Sequence, residues 1–125
     1  MTSRVFVPSL PTRYDAATQK QVPSLDLNPA TKHGTLKIIT SGPQATGDRL
    51  VAAIEACVAA ASDVEDGYDY YEGDSVLAVG DSILQAAFIA KAVEGLAGDG
   101  TYHPVRVLRW DRKNNKYDEV EIEIC

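Results

Sequence analysis

The feature that most constrains the fold is an alternation of short apolar runs and helical patterns in the middle of the chain. Residues 36–40 (LKIIT) and 75–79 (SVLAV) are β-rich and largely apolar, which is typical of buried strands. Apolar residues recur at helical spacing after each run, over residues 48–62 and 83–96. The succession of strand, helix, strand, helix and strand predicts right-handed crossovers and a small parallel core sheet.

The two ends of the chain carry different patterns. Residues 105–110 and 117–124 flank a polar turn, and Val and Ile alternate with Glu in the second segment, which predicts a half-buried antiparallel hairpin. Prolines interrupt the N-terminal stretch, which predicts edge or partial strands around a loop and one helical turn at residues 28–34. We therefore expect an α/β fold, a small βαβαβ layered sandwich with central parallel strands and a C-terminal antiparallel hairpin, in two or three layers.

Length and composition predict one domain over residues 1–125. The chain has 45% hydrophobic residues and divides into a proline-rich N-terminal segment (4–35), a βαβα core (36–97) and the hairpin (104–124). No apolar run approaches the ~18 residues of a membrane helix, and no basic segment followed by an apolar run opens the chain, so we expect a mature cytosolic protein that does not bind membranes.

Cysteine and histidine usage predicts neither a disulfide framework nor a metal site. Cys57 lies on the apolar face of a predicted helix and Cys125 is the last residue, so we expect a packed thiol and a frayed terminal thiol. His33 and His103 fall in predicted loops without metal-ligand spacing. We expect no bound metal and no cofactor.

The net charge of −6 is concentrated in one segment. Six of the eighteen acidic residues lie between Asp63 and Asp74, and the other twelve match the twelve basic residues of the chain. A pI near 4.8 argues against nucleic-acid binding, because phosphate contacts need clustered Lys and Arg.

The same acidic segment is a candidate partner-binding surface. Tyrosine is enriched at protein interfaces, and an acidic, aromatic segment can dock on a basic surface of another protein. A solvated loop is the alternative for such a charge run. Trp110 is interpreted first as a packing residue at the sheet edge, and in the binding hypothesis it joins this surface. The candidate partner-binding residues are Tyr68, Asp69, Tyr70, Tyr71, Glu72, Asp74 and Trp110.

The two strand-to-helix junctions are the alternative ligand site, because open α/β sheets bind ligands beyond the carboxyl ends of their strands. The candidate residues for a small anion or nucleotide are Thr46, Gly47, Gly80, Asp81 and Ser82. Neither junction matches a nucleotide-binding motif, and an aspartate at each one favours helix capping over phosphate binding. Asp48 and Asp81 follow strands that we expect to be neighbours, and two acids could hold Mg²⁺ weakly. No base or nucleophile converges on them, so we predict no catalytic residue and a non-enzymatic protein.

One local pattern occurs twice. Arg13-Tyr14-Asp15 is followed by Lys20, and Arg109-Trp110-Asp111 is followed by Lys116 at the same spacing. In each case an Asp can open an Asx turn in a polar reversal that closes on Lys. We predict two similar turns and no structural repeat.

Several short motifs together resemble a group of small proteins encoded by tailed bacteriophages. The matching pieces are VFVP at 5–8 with Arg13 and Asp15, VPSLDL at 22–27 with Pro29, Ala30 and Gly34, VLAVGD at 76–81, and LRWDR at 108–112 with Tyr117 and VEI at 120–122. Members usually have a proline where this chain has Ser82. The resemblance implies a phage origin and action in the cytoplasm of the infected bacterium, and it brings no activity or functional residue with it.

Three hypotheses follow for function. The first is a non-enzymatic phage accessory protein that binds and modulates a bacterial host protein, through the acidic loop or the hairpin surface. The second is a small-ligand binding or sequestering protein that uses the two junctions. The third is a structural virion component, which the charged, loop-bearing surface supports least. The apolar helix at 83–96 leaves a homo-oligomer possible, because such a helix is covered on more than one face.

Overall fold

The computed structural model describes residues 3–24, 26–42, 45–64, 73–97 and 104–122. Seven strands, two α-helices and one 3₁₀ helix form along these ranges. In chain order they are β1 (Arg4–Val7), β2 (Thr12–Asp15), β3 (Lys20–Pro23), the 3₁₀ helix (Asn28–His33), β4 (Thr35–Ile38), α1 (Asp48–Ala61), β5 (Ser75–Leu77), α2 (Ser82–Ala97), β6 (Val105–Asp111) and β7 (Lys116–Ile122).

Five strands form the central sheet in the order β4-β1-β5-β6-β7. The pairs β1–β4, β1–β5 and β5–β6 are parallel, and β6–β7 is an antiparallel hairpin with Trp110 opposite Tyr117. Strands β2 and β3 form a separate antiparallel pair. This arrangement confirms the predicted α/β fold with central parallel strands and a C-terminal hairpin.

Two strands exchange the positions expected from the sequence. The N-terminal run was expected at an edge, yet β1 lies between β4 and β5, and Val5 and Val7 are fully buried. The reason is that Pro8 and Pro11 follow β1 instead of interrupting it, so its backbone can bond on both sides. The run at 36–40 was expected to be buried, but β4 ends the sheet and Ile38 is 48% exposed.

Each face of the sheet has its own apolar cluster. On the first face, α1 and α2 pack against each other and against the sheet, with Cys57, Leu84 and Phe88 in the cluster. The Phe6 and Phe88 rings lie 5.2 Å apart between their centroids. The second face carries Val5, Leu77, Leu108 and Tyr117 and is covered by the 3₁₀ helix and the segments around it. The second face therefore has a thinner cover than the first.

Helix boundaries follow the predicted local signals. The 3₁₀ helix has Pro29 in its first turn and ends at Gly34, as predicted. The Asp81 carboxylate accepts a hydrogen bond from the Ile83 backbone N–H at 2.8 Å and so caps α2, which also agrees with the prediction. Among the described residues, no helix is long and apolar enough to cross a membrane.

Candidate binding pocket on the hairpin face

Most of the predicted acidic partner surface lies outside the described residues. Five residues of that surface lie outside the described ranges, namely Tyr68, Asp69, Tyr70, Tyr71 and Glu72. The terminal Cys125, which is not part of that surface, also lies outside them. Of the seven predicted partner-binding residues, only Asp74 and Trp110 have described positions. The structure places them in different environments.

Asp74 is used inside the fold. Its side chain is 4% exposed, and it receives Arg4 Nη2 at 2.6 Å on Oδ2 and Arg4 Nε at 3.0 Å on Oδ1. The Arg4 backbone N–H also donates to Oδ1 at 3.3 Å. The prediction that Asp74 contacts a partner is therefore corrected, because a buried carboxylate held by Arg4 cannot reach a partner surface.

The two strand-to-helix junctions follow strands that are not neighbours in the sheet. Thr46 and Gly47 precede α1 and follow the edge strand β4, whereas Gly80, Asp81 and Ser82 follow β5. Strand β1 lies between β4 and β5, so two strand spacings of about 4.8 Å each separate the junctions along the sheet. The expectation that Asp48 and Asp81 follow neighbouring strands is wrong, since the central strand comes from the N-terminal segment.

Gly80 lies at the carboxyl end of the sheet, where the segments that follow β1 and β5 meet. The strand order reverses between these two strands. A Cβ at this position would clash with the Ser9 carbonyl oxygen, and Gly80 has φ of +79°. The backbones of the two strand ends thus touch here, and only glycine allows the approach. This contact accounts for the glycine.

The two carboxylate oxygens of Asp81, next to Gly80, differ in their hydrogen bonding. Its Oδ1 caps α2, whereas its buried Oδ2 has no hydrogen-bond partner in the described part of the chain. Cys57 lies nearby, with its thiol donating to the Pro8 carbonyl oxygen at 3.7 Å. Burial, and then the negative charge of Asp81, raise the pKa of the Cys57 thiol to about 11, so it stays protonated at neutral pH. Cys57 is buried as predicted.

Trp110 is positioned by the turn that follows it. The next residue, Asp111, accepts hydrogen bonds from the Lys113 and Asn114 backbone N–H groups at 2.9 and 3.3 Å, and from the Asn114 side chain at 2.7 Å. The bond from the Asn114 side chain is the main cause that lowers the pKa of the Asp111 carboxyl. Asn115 then takes a left-handed backbone with φ of +52°, which asparagine tolerates. The predicted Asx turn is confirmed, and it fixes the end of the hairpin.

Trp110 and Tyr117 form an aromatic pair across the hairpin. Their ring centroids lie 4.9 Å apart with the planes at 63°, an edge-to-face arrangement that is favourable for aromatic rings. Tyr117 is 5% exposed and joins the apolar cluster of the second face, whereas Trp110 is 37% exposed. Trp110 thus packs on the fold, as the first interpretation had it, and also keeps an open face.

A pocket lies against this pair at the carboxyl end of the sheet. Its volume is about 490 Å³, and it is lined by Asp26, Pro29, Val79, Trp110, Asn115 and Tyr117. This volume falls in the range of about 300–1,000 Å³ typical of ligand pockets, and a mostly apolar lining with a few polar groups is the usual composition. We name it the Trp110 pocket. The pocket can accept an apolar group, or a group that packs on an aromatic ring, and Asp26 and Asn115 can orient the bound group.

Five of these lining residues were not predicted from the sequence. The hairpin register places Trp110 and Tyr117 opposite each other, and this pairing could have been inferred from the predicted turn. Asp26, Pro29 and Val79 reach the pocket from the 3₁₀ region and from the end of β5. No local signal marks them, because their meeting depends on how the 3₁₀ helix covers the second face.

The chain is a mixed α/β protein with an aromatic pocket at one end of its sheet. Across the described ranges, no group of three His, Cys, Asp or Glu side chains could hold a metal ion. The sequence model of the Phage Pam3 gp32-like protein family matches residues 3–124. The chain belongs to this phage protein family, which confirms the resemblance to small phage proteins. Comparison with curated proteins and with solved structures gave no significant match.

Proposed function

We propose that this protein is a non-enzymatic phage accessory protein that binds and modulates a bacterial host protein in the cytoplasm of the infected cell. The binding surface is the hairpin face around the Trp110 pocket. The observation that carries the proposal is a partly exposed tryptophan that packs on a buried tyrosine beside a mostly apolar pocket. Tryptophan is enriched among the few residues that dominate binding energy at protein interfaces.

The surroundings of Trp110 support a protein partner. The indole is anchored on Tyr117, so little conformational freedom is lost when a partner covers it. The pocket beside it gives a cavity for a partner side chain, with apolar walls from Pro29 and Val79. A rigid aromatic next to a preformed cavity is the usual geometry of an interface anchor.

The charge of the chain supports a partner that is neither nucleic acid nor an acidic protein. The net charge is −6, and a protein of this sign is attracted to basic surfaces. The family assignment adds a phage origin, and therefore a bacterial cell as the setting. This origin supports the part of the proposal that puts the action in the host cytoplasm.

The test is a comparative capture from nuclease-treated bacterial lysate. Tagged wild-type protein, Trp110→Ala and Tyr14→Ala are compared, and retained proteins are identified by mass spectrometry. Tyr14 is the matched control, since it is an exposed aromatic at 61% and lies on β2, outside the central sheet. We expect wild type and Tyr14→Ala to retain one stoichiometric host protein that Trp110→Ala binds at least about tenfold more weakly, as for an interface hot spot.

Two results would contradict this proposal. The first is a host protein retained equally well by Trp110→Ala, and the second is an empty capture with folded wild-type protein. Thermal unfolding of all three proteins shows whether a lost interaction comes from a lost fold.

A second candidate function is a small-ligand protein using the junction at Gly80 and Asp81. The buried and unpartnered Oδ2 of Asp81 favours it, because such an oxygen is usually satisfied by a donor. A carboxylate accepts a cation, an amine or a hydroxyl, and it opposes the anion or nucleotide expected from the sequence. Calorimetric titration with MgCl₂ and with inorganic phosphate compares cation binding with anion binding. If neither titration gives a heat of binding, this candidate function is removed.

A further inference from the structure

The Trp110 pocket has a negative charge at its edge. Asp26 lines it and is solvent-exposed, and its Oδ1 accepts the Asn28 backbone N–H at 2.9 Å. Within the described residues, Asp26 makes no ion pair with any Lys or Arg. The carboxylate is therefore fixed in place by the start of the 3₁₀ helix, and its charge is not neutralised by the fold.

The charge of Asp26 is felt inside the pocket. Burial is the main cause that raises the pKa of Tyr117, and the Asp26 carboxylate raises it further. A field that disfavours a second negative charge at Tyr117 favours a positive charge in the same space. The pocket thus selects against anions and attracts cations.

The aromatic wall suits one kind of cation best. The face of an indole attracts a cation within about 6 Å of the ring centroid, and arginine occurs there more often than lysine. The guanidinium group is flat, so it can stack on Trp110 while its edge N–H groups bond a carboxylate. Its apolar stem can lie along Pro29 and Val79, which line the same pocket.

We propose that the Trp110 pocket binds an arginine side chain of the bacterial partner, with its guanidinium group on the Trp110 indole and the Asp26 carboxylate. This inference rests on the proposed function, since it names the chemistry of the partner at that site. Asn115, at the turn, adds an amide oxygen that can accept a further N–H from the guanidinium. The partner would present this arginine from a convex surface.

Among the described residues that line the Trp110 pocket, none is an arginine or a lysine. Arg109 precedes Trp110 in β6, and successive side chains of a strand point to opposite faces of the sheet. Arg109 is therefore directed away from the face that carries Trp110 and Tyr117. The pocket stays available to a cation from outside.

The experiment titrates the purified full chain with the N-acetylated, C-amidated tripeptide Gly-Arg-Gly. Matched peptides carry citrulline, which keeps the shape and removes the charge, or lysine. Trp110 is the only tryptophan, so its fluorescence reports on this pocket alone. The variants are Asp26→Asn, whose side-chain oxygen can still accept the Asn28 N–H, and Glu94→Gln, a matched loss of charge at a residue 74% exposed on α2.

We expect saturable binding of the arginine peptide in the millimolar range, and weaker binding of the citrulline and lysine peptides. Asp26→Asn should weaken arginine binding about threefold to fivefold, the upper part of the range for a solvent-exposed charge pair, and Glu94→Gln should leave it unchanged. Equal binding of arginine and citrulline peptides, or an unchanged affinity in Asp26→Asn, overturns the inference. Equal or tighter binding of the lysine peptide overturns the choice of arginine.

The inference and the proposed function fail in different ways. Host-protein capture that depends on Trp110 but not on Asp26, together with no preference for the arginine peptide, leaves the proposed function standing and removes the arginine. If the arginine peptide binds in the pocket but host-protein capture does not depend on Trp110, the proposed function is removed and only the preference of the pocket for arginine stands. Amide chemical shifts by NMR locate the peptide in either case.

Discussion

Replacing Asp74 by alanine should destabilise the protein strongly, because it removes the buried half of an ion pair. Arg4 donates to Asp74 through its backbone N–H, Nε and Nη2, and the same Nη2 also donates to the Asp63 carbonyl oxygen at 2.7 Å. The pair joins the start of β1 to the residue just before β5. These two strands are neighbours in the middle of the sheet, so the loss acts on the core of the fold.

The expected loss is about 3 kcal/mol of unfolding free energy. Removing one partner of a fully buried pair costs about 3–5 kcal/mol, and we take the lower end since the Arg4 side chain is 31% exposed and can recover some hydration. The Arg4 guanidinium also lies 5.0 Å from the Phe6 ring centroid, and this contact would loosen. For a chain of this length the loss corresponds to a melting temperature lower by about 10–15 °C.

Urea unfolding followed by circular dichroism measures the effect, with Glu94→Ala as the control. Glu94 pairs with Lys91 at 3.3 Å on the surface, and such a pair should contribute less than about 0.5 kcal/mol. A double-mutant cycle with Arg4→Ala should give a coupling of at least about 1.5 kcal/mol. A loss in Asp74→Ala no larger than in Glu94→Ala, or a coupling near zero, would refute the assignment of Asp74 to the fold.

Three further predictions concern the junction after β5 and the thiol beside it. Gly80→Ala should lower the free energy of unfolding, measured in urea, by at least about 2 kcal/mol, because it combines a backbone clash with a left-handed φ. The control Gly95→Ala, in open space on α2, should raise it by about 0.5–1 kcal/mol, and equal effects of the two variants would contradict the prediction. In a Cys125→Ser background, Cys57 should react with iodoacetamide at about pH 8 roughly a hundredfold more slowly than a free thiol, since its pKa rises from 9.0 to about 11; fast labelling of the folded protein would show that the thiol is accessible. The raised pKa means that the folded state favours the neutral Cys57 thiol, so the thiol's contribution to stability is full below about pH 9 and is lost as the pH rises toward 11. Wild type should therefore lose unfolding free energy over this pH range more steeply than Cys57→Ala. Parallel plots of unfolding free energy against pH would contradict this.

The sequence predicts the core of the fold well where local signals and tertiary packing agree. The helix at 48–62 is observed as α1 (Asp48–Ala61), and Cys57 and Ala61 of its apolar face are buried. The run at 75–79 is observed as β5, with all three of its residues buried. In these segments the apolar pattern and the position in the sheet give the same answer, so the pattern alone is sufficient.

Strand order is what the sequence does not contain. Both β1 and β4 are short and apolar, and nothing local shows which one lies in the centre. The same limit applies to β7, where Val120 and Ile122 were expected to face the core but are 39% and 37% exposed. Strand β7 is the last strand of the sheet, so its apolar side is only partly covered even though the alternation is regular.

The duplicated turn shows how local chemistry can be predicted without a repeat. Asp15 pairs with Lys20 and Asp111 pairs with Lys116 in the registers of their hairpins, and Gln19 and Asn115 both have positive φ. The same spacing therefore gives the same four-residue reversal in two unrelated places. The sequence predicts the turn, but the surroundings decide its use, since Tyr14 is exposed in a two-stranded sheet whereas Trp110 is anchored on a buried tyrosine.

The position of the Trp110 pocket follows from the unequal cover of the two faces of the sheet. Two helices of 14 and 16 residues cover the first face, whereas a 3₁₀ helix of 6 residues covers much of the second. A helix that short spans only about 12 Å, which is less than the length of β6 at about 3.3 Å per residue. Trp110 lies at the end of β6 and is 37% exposed, so the cover of this face is incomplete there. A polar residue at this position would form no apolar pocket wall. The indole of Trp110, anchored on Tyr117, instead forms the wall of a preformed cavity that has Asp26 at its edge.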